Sequence, residues 1–243
     1  MSKDRAYRRL HGEYVCDGAK LLAEAVLAGA DVSRVLWCSH EQRLEAGIAL
    51  GQLEAAEYLV SREMITYVSP LKNSPGPLFT IRIPEISIPE DLQKVIILEG
   101  VQDPGNIGTV IRTANAFSID AVILTDGCAD LYNPKTVRSA MGALLHQQVL
   151  ELPLQETIDL MEARGLPIYG AALGDSTVDI RRAELYHGAA AIGSEGSGLS
   201  QRLIEACRCC IKIPMDPKAE SLNAAVAASI VMWEMSKSYY DLI

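Results

Sequence analysis

From Lys94 onward, short apolar runs alternate with helical stretches, and this alternation most constrains the fold. Runs such as VIILEG, AVILT and AAIGS lack the polar residue at every second position that marks a strand with one face in solvent. Because both faces of such strands must be covered, the pattern predicts an α/β fold with a doubly wound, mostly parallel sheet. Ligands of such sheets bind in the loops at the carboxyl ends of the strands. The further strand candidates are QQVLEL, PIYGAAL and CRCCIKIP, and the helix candidates are NIGTVIRTANAF, PKTVRSAMGALL, ETIDLMEAR, RRAEL, LSQRLIEA and SLNAAVAASIVMWEMSKSYY.

The first part of the chain predicts a separate, smaller α/β unit. Strand candidates EYVCDG, VSRVLWCS and ITYVS alternate with the amphipathic segment KLLAEAVLAG and with residues 41–60, which are rich in Ala, Glu and Leu and predict helix. Four prolines between residues 75 and 89 then break any long element. We therefore expect a boundary near residue 90, between a domain of residues 1–90 and one of residues 91–243.

Composition and charge narrow the class of protein. The 243 residues are 49% hydrophobic and 22% charged, which is ordinary for a globular protein. No apolar run approaches the roughly 18–20 residues that span a bilayer, and the N-terminus has no apolar signal core, so we expect a cytoplasmic protein. The net charge of −9 argues mildly against a broad nucleic-acid-coating surface. A local basic patch is still compatible with it, and Arg5, Arg8 and Arg9 would share one helix face, either as such a patch or as a solvated end.

The six cysteines do not indicate a disulfide framework, because their spacing does not pair as in secreted proteins. The segment CRCC at 207–210 could suggest a metal site, but nothing near it completes a set of four ligands. A half-buried strand that uses Cys as a small hydrophobic residue is the favoured interpretation, and we expect no metal.

The turn that follows strand VIIL, EGVQDPGN, contains residues suited to the start of a helix. Asp103 can cap the helix, Pro104 fits its first turn, and Gly105 lets the backbone approach a ligand closely. Asn106 and Arg112 are six residues apart, about 120° short of two full turns, so they would flank one helix without sharing a face. Taken alone, they could be a cap and a surface residue.

Two later loops also follow strands. In AAIGSEGSGLS the glycines do not fit GxGxxG, and Glu195 would repel a pyrophosphate, so a dinucleotide site is disfavoured. In IKIPMDPKAESLN, Ser221 is placed to cap the final helix. The small residues of that helix would allow close packing against another backbone, either within the chain or in a dimer.

Together, VQDPGNIGTVIRTANAF, IGSEGSGLS and IPMDPKAESLNAAVA resemble, in order and spacing, the three motifs of the SpoU (TrmH) branch of the SPOUT RNA methyltransferases. NPKTVRSAMGALLHQQV resembles the family segment between the first two motifs. The resemblance covers residues 94–243, and residues 1–90 resemble more weakly the L30e-like domain that precedes it in many members. Glu99, Ser118 and Ala224 depart from the residues common in the family, whereas the motif residues are intact.

The resemblance implies methyl transfer from S-adenosylmethionine to a ribose 2′-hydroxyl of structured RNA, by a homodimer with a deep trefoil knot at the cofactor site. Ribosomal RNA is favoured over transfer RNA. The alternatives are the same reaction on transfer RNA, or an RNA-binding module without catalysis. Arg112 would stabilise charge on the 2′-oxygen rather than act as a base, since guanidinium stays protonated. The implied site residues are Asn106, Arg112, Glu195, Ser221 and Asn223 for catalysis, Gly193, Ile213 and Leu222 for the cofactor, and Arg5, Arg8 and Arg9 for RNA.

Overall fold

The chain divides into two compact units, and each is built from two separate stretches of the sequence. The first comprises residues 1–85 with 130–146, and the second comprises residues 86–129 with 147–243. The predicted boundary near residue 90 put residues 130–146 in the second domain, whereas in the structure this segment packs with the first unit. The computed structural model describes residues 4–48, 53–71, 74, 76–85, 87–172, 177–216 and 218–240, the last three without their side chains.

The first unit is a four-stranded sheet with short helices. Strand order is β1-β4-β2-β3, with β4 antiparallel to both neighbours and β3 parallel to β2. The ring of Tyr132, from the 130–146 segment, lies 4.7 Å from the ring of Tyr14 on β1. The strands are β1 Glu13–Asp17, β2 Val32–Trp37, β3 Ala56–Leu59 and β4 Leu78–Arg82, and the helices are α1 Arg5–His11, α2 Ala19–Leu27, α3 His40–Glu45, α4 Arg62–Val68 and α6 Pro134–Ala140.

Local propensity misassigned two elements of this unit. Residues 56–59, predicted as helix, form β3, because they pair in register with β2 from Arg34 to Trp37 and ladder hydrogen bonds override a weak helical preference. ITYVS, predicted as a strand, lies mostly in α4, whose N-cap Ser61 accepts a hydrogen bond from the Met64 amide. Strand β4 was not predicted, and residues 49–52 of the predicted helix lie outside the described residues.

The second unit contains a seven-stranded sheet, in the order β7-β6-β5-β10-β8-β11-β9. Every neighbouring pair of strands is parallel, so the predicted mostly parallel sheet is confirmed. The predicted RRAEL helix is only a short 3-10 turn, Ile180–Arg182. The strands are β5 Lys94–Glu99, β6 Ala121–Leu124, β7 Val149–Glu151, β8 Ile168–Ala171, β9 Val178–Asp179, β10 Gly188–Gly193 and β11 Cys209–Lys212, and the helices are α5 Pro104–Ala116, α7 Leu154–Ala163, α8 Gln201–Ala206 and α9 Ala224–Tyr240.

The central strands are buried on both faces, which explains their continuous apolar sequence. On one face, Val95, Ile97 and Ile123 pack with Met161 of α7 and Leu203 of α8, and all five are fully buried. On the other face lie α5 and α9, which pack against each other and against the sheet. Within the described part of the chain, no helix has the length and apolarity needed to cross a membrane.

Candidate active site

Three loops of the second unit meet at the carboxyl edge of the sheet. They follow β5, β10 and β11, and each leads into a helix: α5, α8 and α9. Parallel strands end at the same edge, so residues far apart in sequence are brought together there.

The first loop sets the start of α5 through a single capping carboxylate. Asp103 Oδ1 accepts hydrogen bonds from the backbone amides of Gly105 at 2.5 Å and Asn106 at 3.2 Å. Pro104 occupies the first turn, where its missing N–H has no helical partner to lose. The predicted cap and proline position are confirmed, and they put Asn106 at the edge of the sheet.

A hydrogen-bonded cluster joins all three loops at Glu195. Its Oε1 accepts from the side-chain amide of Asn223 at 2.6 Å, from that of Asn106 at 3.1 Å and from the backbone amide of Ala224 at 3.2 Å. Asn223 Nδ2 also lies 3.1 Å from Asn106 Oδ1. Three of the five predicted catalytic side chains are therefore in direct contact.

Asn223, and not Ser221, caps the final helix. Its Oδ1 accepts from the amides of Ala225 at 3.0 Å and Val226 at 3.3 Å. The predicted Ser221 cap is wrong because α9 begins at Ala224, three residues after that serine. One Asn side chain thus both starts the helix and binds Glu195.

The second loop folds back on itself and requires glycine at its first position. The Gly198 amide donates to the Ser194 carbonyl at 3.0 Å. A Cβ on Gly193 would overlap the Gly198 carbonyl group and lie 2.5 Å from the Leu199 nitrogen. At the far end, the Ser200 amide donates to Glu99 Oε2 at 2.7 Å, which ties the loop to the end of β5.

Two cavities lie on either side of this loop. The first has a volume of about 410 Å³ and is lined mainly by apolar side chains and backbone of the second and third loops. Gly193, Ile213 and Leu222, the three residues predicted to contact a cofactor, all line it, as does Ser221. The second cavity, about 380 Å³, is lined by the first and second loops.

Arg112 is not in contact with the cluster. It lies on the exposed surface of α5, about 9 Å along the axis from Asn106, and lines neither cavity. Among the residues that the structure describes, its guanidinium has no hydrogen-bond or ion-pair partner.

The arginines of α1 do not form one exposed face. Arg8 is 3% exposed, and its guanidinium is paired with Asp130, which also lies 3.5 Å from Arg5 Nε. Arg9 is exposed. Because Arg8 is buried and paired with Asp130, its position does not support the predicted contact with RNA.

The CRCC segment forms β11 and the turn before it, as the favoured interpretation predicts. Burial, followed by the neighbouring Cys210 and Cys209, raises the pKa of the Cys207 thiol to about 12. Burial and then Cys209 also raise the pKa of Cys210. The parts of the chain that are described contain no group of metal-ligating side chains suited to an ion.

Sequence reasoning missed Gln102, Ser194 and Ser197, which line the second cavity. Ser194 Oγ and Ser197 Oγ lie 2.7 Å apart, and Ser194 Oγ also accepts from the Ser197 amide. Their position inside the motif loops was the available signal, but spacing along the chain does not reveal which loop side chains line a cavity.

The fold and the site define an α/β protein with a cavity between the loops at the carboxyl edge of a parallel sheet. A model of the SpoU rRNA Methylase family matches residues 93–233. Over 224 residues the chain is 34% identical to the 23S rRNA (guanosine(2553)-2'-O)-methyltransferase RlmP of Bacillus subtilis strain 168, covering 91% of this chain and 88% of that relative. The chain belongs to the SpoU rRNA methylase family.

Solved structures of similar fold include two with the cofactor bound. The SpoU methyltransferase AviRb from Streptomyces viridochromogenes, in complex with AdoMet, matches with a TM-score of 0.86 and 25% identity, over 98% of this chain and 95% of that one. An AdoMet-bound rRNA methyltransferase from Sinorhizobium meliloti matches with a TM-score of 0.84 and 25% identity, over 97% and 91%.

Proposed function

We propose that this chain transfers a methyl group from S-adenosylmethionine to a ribose 2′-hydroxyl of structured RNA, with ribosomal RNA as the substrate. The observation that carries the proposal is the Asn106–Glu195–Asn223 cluster at the border between two cavities. The Bacillus subtilis relative, whose name gives this reaction on 23S rRNA, supports the choice of ribosomal RNA.

The first cavity suits S-adenosylmethionine in size and chemistry. Its volume lies in the range of about 300–1,000 Å³ that is usual for small-molecule sites. Its apolar walls and loop backbone fit an adenosine group, and the exposed Glu195 carboxylate, which lines the cavity, favours a cationic ligand over an anionic dinucleotide. When bound, S-adenosylmethionine supplies a methyl group already activated by a positively charged sulfur. Gly193, Ile213 and Leu222 would hold it.

The residues of this chain would then mainly align the reactants, a contribution equivalent to effective molarities of about 10⁵–10⁸ M. Asn106 would orient the ribose, while Glu195, Asn223 and Ser221 keep the loops in register. Arg112 would stabilise the negative charge that develops on the 2′-oxygen as its proton passes to water. The methyl carbon would form its bond to that oxygen as its bond to sulfur breaks, which leaves S-adenosylhomocysteine.

We further propose a homodimer formed through α9 and the first-motif region. On α9, Trp233 is 51% and Val226 47% exposed, which supports a contact surface there. Arg112 lines neither cavity of its own chain. We therefore propose that dimerisation brings it to the active site of the second copy, so that residues of both chains complete each site. The second unit would carry the trefoil knot, formed from the loops after β10 and β11 and helix α9.

The first unit would be the L30e-like, RNA-binding part. Arg5 and Arg9, exposed on α1, support a contact with RNA there. With a ribosomal RNA substrate, the enzyme would work in the cytoplasm.

A tritium-transfer assay tests the proposal. Labelled S-adenosylmethionine is mixed separately with ribosomal RNA and transfer RNA from cells that lack the gene, using wild type, Arg112→Ala and, as a matched surface control, Arg202→Ala. We expect label in ribosomal RNA at one alkali-resistant position. A methylated 2′-oxygen can no longer attack the neighbouring phosphodiester, so alkali does not cleave the chain there. Arg112→Ala should lose the label and Arg202→Ala should keep it.

Two other outcomes would change the proposed substrate or the proposed activity. Label only in transfer RNA would change the substrate. No label in either RNA, with firm binding of S-adenosylhomocysteine, would indicate an RNA-binding module without catalysis.

A further inference from the structure

We propose that the second cavity receives the nucleotide whose ribose is methylated, and that the side-chain amide of Gln102 reads its base. This inference rests on the proposed function and assigns it a substrate subsite and a specificity-determining residue.

The two cavities share one wall. Ser194, Glu195, Gly196, Ser197 and Ala224 line both of them. A methyl donor and its acceptor must lie side by side, with the reacting atoms about 3–3.5 Å apart. If the first cavity holds the donor, the space across this shared wall is where the acceptor ribose can meet it.

The lining of the second cavity differs chemically from that of the first. The loop after β5 contributes Gln102, Asp103 and Asn106, all polar, whereas the part of the first cavity not shared with the second is formed mainly by apolar residues. Apolar walls accept many ligands of the right shape, but a site built to hydrogen-bond a ligand rejects analogues that leave its polar groups unpaired. The second cavity is therefore the better place for base selection.

Gln102 is held in position while its amide stays available. Its neighbour Val101 is 2% exposed, and the Val101 carbonyl accepts from the Ala129 amide at 2.9 Å. Asp103, on the other side, caps α5. Gln102 itself is exposed, and no residue in the described stretches hydrogen-bonds its side chain. A side-chain amide offers an NH2 donor group and a carbonyl acceptor side by side, which matches one edge of an unpaired nucleobase.

The cavity volume of about 380 Å³ suits a single nucleotide rather than a duplex. The base would have to be unstacked and unpaired, which is the usual form in which proteins read RNA sequence. Asn106, on the same wall, would then lie at the ribose, next to Glu195.

The test uses transcripts of the RNA that wild type methylates, made with each of the four bases at the modified position. We expect wild type to prefer one base by about tenfold to a hundredfold in kcat/KM, since a paired amide contact discriminates by about that factor. Gln102→Ala should reduce this preference to less than about threefold, and Gln102→Glu, which keeps the size but loses the N–H donor, should also reduce it. Gln201→Ala, a surface glutamine of α8 bonded to Glu205, is the matched control.

Binding of S-adenosylhomocysteine distinguishes a failure of the proposed function from a failure of the role given to Gln102. The affinity of all these variants should equal that of wild type. A wild-type protein that methylates no RNA overturns the proposed function and this inference with it. Active wild type with an unchanged base preference in Gln102→Ala overturns only the role of Gln102, and a tenfold loss of S-adenosylhomocysteine affinity in that variant would assign the second cavity to the cofactor instead.

Discussion

The side-chain amide of Asn223 lies 2.6 Å from Glu195 Oε1, and this hydrogen bond joins the loop before α9 to the loop after β10. The same oxygen accepts from Asn106 of α5, so one carboxylate holds three segments in register. Hydrogen bonds to an ionised acceptor are about twice as strong as neutral ones. The arrangement of the loops around both cavities therefore depends on this carboxylate.

Removing the carboxylate should loosen the loops without unfolding the chain. We expect Glu195→Ala to lower the affinity for S-adenosylhomocysteine by at least about tenfold, since each hydrogen bond to a charged group contributes about 1.5–3 kcal/mol. Methyl transfer should fall further, by about a hundredfold. Titration calorimetry and the tritium assay measure the two effects. Glu205→Ala, a surface carboxylate on α8, should change neither, and equal behaviour of the two variants would contradict a role for the cluster.

A methyl group at position 193 should disrupt the second loop. In Gly193→Ala the new Cβ would overlap the backbone of Gly198, so the loop must shift or the fold must lose stability. We expect a lower melting temperature and loss of S-adenosylhomocysteine binding. In Gly196→Ala the Cβ meets no atom within 4 Å, so its melting temperature should match wild type. Equal melting temperatures for the two variants would show that the loop tolerates the added atom.

Arg8 should contribute to stability and Arg9 to RNA affinity. Arg8→Ala would leave the Asp130 carboxylate, whose side chain is 10% exposed, with Arg5 alone. Breaking a buried pair on one side costs about 3–5 kcal/mol, which urea unfolding would detect. Arg9→Ala should change the unfolding free energy by less than about 0.5 kcal/mol and weaken RNA binding. Equal unfolding free energies would mean that the Arg8 pair is not structural.

The Cys207 thiol should make the stability of the fold fall in alkali. Its pKa is raised by burial from 9.0 to about 12, so above pH 9 the unfolded chain releases this proton while the folded chain keeps it. The contribution of this thiol to the free energy of unfolding is therefore fully present below pH 9 and is lost as the pH rises from 9 towards 12. Urea unfolding between pH 8 and pH 11 should show a shallower decline for Cys207→Ala than for wild type. Parallel curves for Cys207→Ala and wild type would contradict the prediction.

Trp233 should be part of the contact in the proposed homodimer. It is 51% exposed on α9, with its ring 5.7 Å from the Phe117 ring at the end of α5. A buried charge there would oppose association, so Trp233→Glu should halve the mass measured by light scattering after gel filtration. Leu27→Glu, at an 86% exposed position on α2, should leave the mass unchanged. A mass that Trp233→Glu does not alter would show that no dimer forms through this part of α9.

The start of α5 and the class of the second sheet could be predicted because their signals are local. Asp103 caps amides two and three residues ahead, and that geometry is the same in any helix. Buried parallel strands need apolar residues at every position, so the runs VIIL and AVIL could be predicted as such strands directly. The short, exposed elements of the first unit carry weaker signals, and there pairing with β2 decided that residues 56–59 form a strand.

The amino-acid sequence by itself determined the family motifs, the parallel sheet and the residues available at its carboxyl edge. Only the tertiary structure decided which of them meet. Asn106 reaches Glu195 across 89 residues, Asn223 reaches Asn106 across 117, and Arg8 is paired with Asp130 across 122. Such contacts depend on the order of strands in the sheet and on the packing of residues 130–146 with the first unit, and neither is encoded in the spacing of residues along the chain.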